Sequence, residues 1–167
     1  MEIKVDFDII PDKFGKGASE EDTLCGNPVR SFPFRVENLP DGTKCIAFTL
    51  IDFDAVAVCG FPWIHWAAAN VPLDGGGAEI AENFSRNKKS VQGKNSFASQ
   101  FLQEDFTTIE NLFVGPTPPD KDHRYTLRVY ALSSLLELSE GFYLNELLSK
   151  MDGNILEEKQ ILLIGKY

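Results

Sequence analysis

Two apolar runs limit what this chain can fold into. Lys44 to Ile51 reads KCIAFTLI and Trp63 to Val71 reads WIHWAAANV, and in both the apolar residues fall on odd and even positions alike. An extended segment with apolar side chains on both faces needs cover on both faces, so the two runs read as central strands of a sheet. Within the second run, strict alternation places Trp63, His65, Ala67 and Ala69 on one face. Other segments are apolar on one face only. Ile3, Val5, Phe7 and Ile9 alternate with Lys4, Asp6 and Asp8, Phe32, Phe34 and Val36 skip one residue each, and Tyr125, Leu127, Val129 and Ala131 alternate through a β-branched and aromatic stretch.

The connections divide into turns and long loops. Leu39-Pro40-Asp41-Gly42 predicts a turn that returns the chain antiparallel. Asp12 to Pro28 carries Gly, Lys, Asp, Glu and Ser without apolar periodicity and reads as an exposed loop. From Leu73 to about Pro119 the chain is irregular for longer than ordinary connections run, with a helical turn expected at Ile80–Phe84 and a short element between Glu104 and Phe113. Leu144, Leu147, Leu148 and Met151 have helical spacing, Gly153 stops that helix, and Ile155 to Tyr167 reads as a closing strand. The expectation is one mainly β domain over residues 1–167 with one or two outer helices.

Composition narrows the partners. A formal charge of −9 repels polyanions and argues against nucleic acid and anionic membrane surfaces. No run approaches the length of a membrane span, so integral membrane association is not expected. Cys25, Cys45 and Cys59 are three widely spaced cysteines without a C-x-x-C pair, which fits a reducing compartment. The protein is expected to be soluble and cytoplasmic.

The chemistry concentrates in two segments, IDFDAVAVCGFPWIHWAAANVP at 51–72 and GPTPPDKDHRY at 115–125, which hold both histidines of the chain. Asp52 and Asp54 leave one strand end, His65 lies beside Trp63 in a second strand, and His123 and Tyr125 open a third. Four readings stay open. Two Asp and two His are an acceptable zinc or iron set, but their spacing gives no local ligand pair. An Asp-His acid/base pair could serve a small hydrolase or isomerase, with Ser85, Ser90, Ser96 or Cys59 as nucleophile, but no G-x-S-x-G elbow accompanies it. An anion pocket would use His65 and His123 as donors, the Tyr125 hydroxyl and backbone N–H groups near Gly115, with Asp52 and Asp54 fixing the tautomers. A zwitterionic head group such as phosphoethanolamine would satisfy both signs of charge. In the bland reading the histidines are satisfied core residues and the acids only end a strand.

The order D-x-D-A at Asp52 to Ala55, H-W at His65 followed by Asn70, G-P-x-P-P from Gly115, and H-R-Y leading to Y-A-L at Tyr130 resembles the phosphatidylethanolamine-binding protein family, bacterial Raf-kinase-inhibitor-like branch. The resemblance runs from GNPVRSFPF at Gly26 to GKY at Gly165. It implies a large β-sheet packed on a smaller sheet with a few peripheral helices, and a small anion pocket lined by Asp52, Asp54, Trp63, His65, Gly115, Pro116, His123 and Tyr125. It also implies a non-enzymatic binding protein for phosphate or phosphorylated small molecules, without metal or other cofactor, that engages a protein partner and forms homodimers. Three features stand out. Phe53 and Val56 replace prolines of the usual D-P-D-A-P, Phe61-Pro62 falls where the family often has a strained turn, which leaves its cis or trans state open, and Asn154 stands where bacterial relatives often carry a histidine.

Overall fold

The computed structural model describes every residue except Lys88. Its strands are β1 (Glu2–Lys4), β2 (Thr23–Leu24), β3 (Asn27–Pro28), β4 (Phe34–Glu37), β5 (Cys45–Asp52), β6 (Trp63–Val71), β7 (Ala78–Ile80), β8 (Val91–Gln92), β9 (His123–Leu132) and β10 (Ile155–Gly165). A short α1 (Val56–Cys59) follows β5, and α2 (Leu144–Met151) precedes β10. The large sheet runs β10-β9-β5-β6-β8 and the small one β1-β4-β7, with every strand pair antiparallel.

The two runs that are apolar on both faces became β5 and β6, adjacent in the large sheet. Their cover differs on the two sides. Ile46, Phe48 and Leu50 face the small sheet and join Phe34, Val36, Trp66 and Leu127 in the main core. Phe32 sits within this core edge-to-face with Phe7, Phe14, Trp66 and Phe113, and the buried Trp66 Nε1–H donates to Gln92 Oε1 at 2.7 Å. Cys45 and Ala47 face the other way, toward Leu147 and Met151 of α2.

Several local expectations change. The Pro40–Gly42 turn does not make a hairpin, because β4 pairs with β1 and β7 while β5 pairs with β6 and β9. The turn instead carries the chain between layers, as the burial patterns require: β4 buries one face, whereas β5 buries both. Alternation at the N-terminus holds to Phe7, after which Ile9 is exposed and Ile10 buried. The 12–28 loop buries Phe14 and contains the β2–β3 ladder. Ile80 ends a strand rather than starting a helical turn, and a single 3-10 turn begins at Phe84. Between 104 and 113 there are only turns, anchored by buried Ile109 and Phe113. The described residues contain no cis peptide, so Phe61–Pro62 is trans. Helix α2 and strand β10 lie where the spacing placed them, and Gly153 (φ +74°) takes the left-handed turn between them.

Strand β6 does not keep strict alternation. Leu50 pairs with Trp66 and Ile51 with Ile64, so His65 is an extra residue opposite that step. A second irregularity falls at Asn70, which adopts φ +55° and exchanges two 2.8 Å hydrogen bonds with the Leu136 backbone. Between the two bulges the faces are exchanged relative to simple alternation. His65 and Trp66 both lie toward the main core, while Ala67 and Ala69 join Cys45 and Ala47 over α2.

Candidate ligand pocket

Asp52, Trp63 and Tyr125 are brought together by register, since Asp52 is paired with Trp63 on one side and with Tyr125 on the other. His123 lies two residues before Tyr125 on the same strand face. The bulge then turns His65 toward Tyr125, ring centroids 5.0 Å apart, where a regular strand would not combine it with Trp66 on this side. These residues, with Val114, Gly115 and Thr117 to Pro119, line a cavity of about 210 Å³. Larger hollows exist, including one of about 430 Å³ beside α2, but that one holds neither histidine. Chemistry, rather than size, selects the smaller cavity.

The loop carrying Gly115 is fixed to the bulge. Val114 N–H donates to the His65 carbonyl at 3.0 Å, His65 Nδ1 meets the Val114 carbonyl at 2.6 Å, and Gly115 N–H donates to Pro28 O at 2.8 Å. A carbonyl can only accept, so Nδ1 carries the proton and a neutral His65 presents Nε2 as an acceptor. Glycine is required at 115 for space, because a Cβ there would lie 1.8 Å from the Phe14 carbonyl oxygen. Gly115→Ala is therefore expected to cost about 2 kcal/mol and to lower the thermal midpoint by roughly 4–8 °C. An unchanged melting curve would mean that the two backbones separate without strain.

His123 has a different environment. It is buried, with Nδ1 at 2.6 Å from Asp52 Oδ2 and Nε2 at 2.8 Å from Asp120 Oδ1. Two carboxylates on the two nitrogens require both to donate, which only the imidazolium can do. Burial opposes that charge, and the hydrogen bonds to Asp52 and Asp120 outweigh it, holding the pKa above the ordinary histidine value. His65 goes the other way: burial pushes its pKa down to about 4 despite the Val114 bond and the Asp52 charge. Burial and the Asp52 carboxylate keep the Tyr125 hydroxyl protonated. The pocket thus holds one imidazolium, one neutral imidazole and a phenol.

Asp54 and Pro116 lie outside the cavity lining. Asp54 accepts the Arg124 N–H at 2.9 Å and faces its guanidinium at 3.5 Å, tying the start of β9 to the end of β5. Pro116 packs instead at the hollow shared by residues 9–16 and 165–167. Trp63 forms the aromatic wall, stacked on Phe61 and edge-to-face with Phe97. Asn154 binds Ser134 Oγ and the Lys150 carbonyl, closing the end of α2 away from the pocket. Cys59 lines the cavity and its thiol faces the Ala55 and Phe61 carbonyls, whereas Ser85, Ser90 and Ser96 do not line it. No cluster of three His, Cys, Asp or Glu residues suits a metal ion among the described residues, nor is any of their helices long and apolar enough to cross a membrane. Sequence reasoning passed over Asp120, although the D-x-x-H spacing to His123 was its available signal.

The sequence model of the family described as phosphatidylethanolamine-binding protein matches residues 4–165. The YxkA protein of Bacillus subtilis is 47% identical over 157 residues, covering 93% of this chain and 92% of its own. The UPF0098 protein of Methanothermobacter thermautotrophicus is 32% identical over 145 residues, covering 86% and 85%. Among solved structures, the phosphatidylethanolamine-binding protein homologue CT736 from Chlamydia trachomatis superposes with a TM-score of 0.68 at 28% identity, over 96% of this chain and 90% of that one. Escherichia coli YbcL shares the fold at a TM-score of 0.71 and 23% identity, over 99% and 94%. With a family match spanning nearly the whole sequence and a relative close to half identical, this chain belongs to the phosphatidylethanolamine-binding protein family.

Proposed function

We propose that this chain is a non-enzymatic, cytoplasmic binding protein whose pocket takes a small phosphorylated molecule bearing an ammonium, of the phosphoethanolamine type. The observation that carries this is the pairing of a charged His123 with a neutral His65 whose Nε2 has no protein partner among the described residues. One phosphate oxygen would accept from His123, and a phosphate O–H would donate to His65 Nε2. The Tyr125 hydroxyl completes the donor set. A cavity of about 210 Å³ suits a head group rather than a large ligand.

The charge balance favours the ammonium. Asp52 and Asp120 set two carboxylates against one imidazolium, leaving the surroundings of His123 about one charge negative. The same geometry favours binding over catalysis. His123 has both nitrogens engaged as donors and cannot take a proton, and His65 is too weak a base to be poised near neutral pH. Engagement of a protein partner and homodimer formation are carried by family likeness alone.

Proton NMR of the two imidazoles tests the reading. Phosphoethanolamine is expected to shift the His65 and His123 ring signals together to saturation, to bind at least tenfold more tightly than inorganic phosphate, and to lose that affinity in His65→Ala. Signals that stay fixed at millimolar ligand, or equal affinity in the variant, would remove the pocket assignment.

A further inference from the structure

The acceptor on His123 Nε2 comes from the protein itself. Asp120 places Oδ1 at 2.8 Å from this nitrogen, in the position an anionic ligand needs. The two carboxylates that hold His123 are not equivalent. Asp52 is 4% exposed and also accepts the Ala55 N–H, so it is fixed on two sides. The Asp120 side chain is 48% exposed, and hydration can replace its half of the contact when it leaves. It sits on a short tether. Pro118 and Pro119 precede it, and Asp122 is held by Lys166 Nζ at 2.6 Å and by the Tyr167 N–H at 3.0 Å. Asp120 is the residue between these anchors whose carboxylate meets His123 Nε2, from just beyond the Pro118–Pro119 edge of the cavity, and leaving requires a rotation of its own side chain rather than displacement of the loop.

We propose that Asp120 is a specificity-determining residue: its carboxylate occupies the anion position on His123, so that ligand binding exchanges this carboxylate for the ligand's phosphate. The proposal rests on the pocket reading above and adds the element that sets its selectivity. The exchange conserves the hydrogen bonds of His123, because one anionic acceptor replaces another. The net affinity for a simple anion is therefore small by construction. The displaced carboxylate stays within the same few ångströms, where it repels a second negative charge and attracts a cation. Inorganic phosphate is disfavoured twice, since it must displace Asp120 and then sit beside it without a compensating cation, and a zwitterion recovers the ammonium contact.

Asp120→Asn keeps the shape and removes the charge. At pH 6, inorganic phosphate should bind this variant about tenfold more tightly than wild type, and the preference for phosphoethanolamine over phosphate should shrink by a similar factor. The His123 ring should titrate at lower pH, reporting loss of the carboxylate contact directly. Asp122→Asn is the control, since it removes one negative charge nearby and no pocket contact while keeping an amide oxygen for the Tyr167 N–H that anchors the loop, and it should leave phosphate affinity unchanged. Equal phosphate affinity in wild type and Asp120→Asn overturns the exchange while leaving the pocket reading standing. Equal gains in both variants also overturn it, because the effect would then be general charge. If neither wild type nor Asp120→Asn binds phosphate or phosphoethanolamine, the pocket reading fails and this inference fails with it.

Discussion

Asp52→Asn is expected to lower folding stability by about 3 kcal/mol at pH 6, and by much less at pH 9. Asp52 is a buried carboxylate at the end of β5 that meets the equally buried His123 at 2.6 Å. Asparagine keeps the shape and one amide oxygen for the Ala55 N–H, but it turns an NH2 donor toward Nδ1, which suits a neutral ring and not an imidazolium. What disappears is the charge that stabilises the imidazolium, leaving the exposed Asp120 as its one carboxylate partner. The pH dependence follows from the raised folded pKa of His123. Its stabilising contribution is fully present below the unfolded histidine value of about 6.5 and is lost as pH rises through the folded value. Above that, neutral His123 has little use for the Asp52 charge, and wild type and variant converge. Urea unfolding of both proteins at the two pH values measures this. A deficit of equal size at pH 6 and pH 9 would show that the pair contributes only a hydrogen bond.

The strands were legible because burial leaves a record in periodicity. Segments apolar on both faces became β5 and β6, between the small sheet and α2, and the one-faced Phe34–Val36 pattern became the small-sheet strand β4. Periodicity says nothing about which strands pair, and this is why the Pro40–Gly42 turn reads equally well as a hairpin and as the layer crossing it is. It also assumes an unbroken step of two. WIHWAAANV alternates on paper, but the extra residue at His65 exchanges the faces of Ala67 and Ala69. The bulge has no residue signature of its own. It exists because the Val114–Gly115 segment, some fifty residues away, takes both the carbonyl and Nδ1 of His65.

At the site, the readable part was the set of residue types and the unreadable part was their division of labour. Asp52 and Asp54 look equivalent two residues apart at a strand end. Asp52 is the one that points into the cavity with His123, and Asp54 faces Arg124 at the edge. His65 and His123 likewise look interchangeable, yet one is held neutral by burial and the other charged by two acids. Local sequence cannot separate them, because the difference lies in what meets the second ring nitrogen. For His65 the contact that fixes the tautomer is a backbone carbonyl, which every residue has, so no side-chain motif could mark it.

That division makes His65 the acid-sensitive point of the fold. Its pKa is pushed down to about 4 by burial, from an unfolded value near 6.5. A histidine that is harder to protonate folded than unfolded contributes stability fully present above the unfolded value and lost as pH falls through the window toward the folded one. The expected loss between pH 6.5 and pH 4 is about 3 kcal/mol from this residue, at about 1.4 kcal/mol per pKa unit. Several exposed carboxylates with lowered pKa values also weaken the fold in acid, so the contribution is read by difference. His65→Gln, which has no charge to acquire, should lose about 3 kcal/mol less than wild type across the window in urea unfolding. If that variant folds poorly, the His65 ring signal of the wild type supplies the same quantity, staying at its neutral position down to about pH 5. An ordinary titration near 6.5 would contradict the burial argument. A ligand ties this property to the pocket. A phosphate whose O–H donates to Nε2 can pass that proton to the nitrogen in acid and accept from it in turn, which stabilises the imidazolium, raises the His65 pKa and shields the fold from acid. Saturating phosphoethanolamine should therefore stabilise the protein more at pH 5 than at pH 8. A ligand that stabilises equally at both pH values binds without placing its anion on His65.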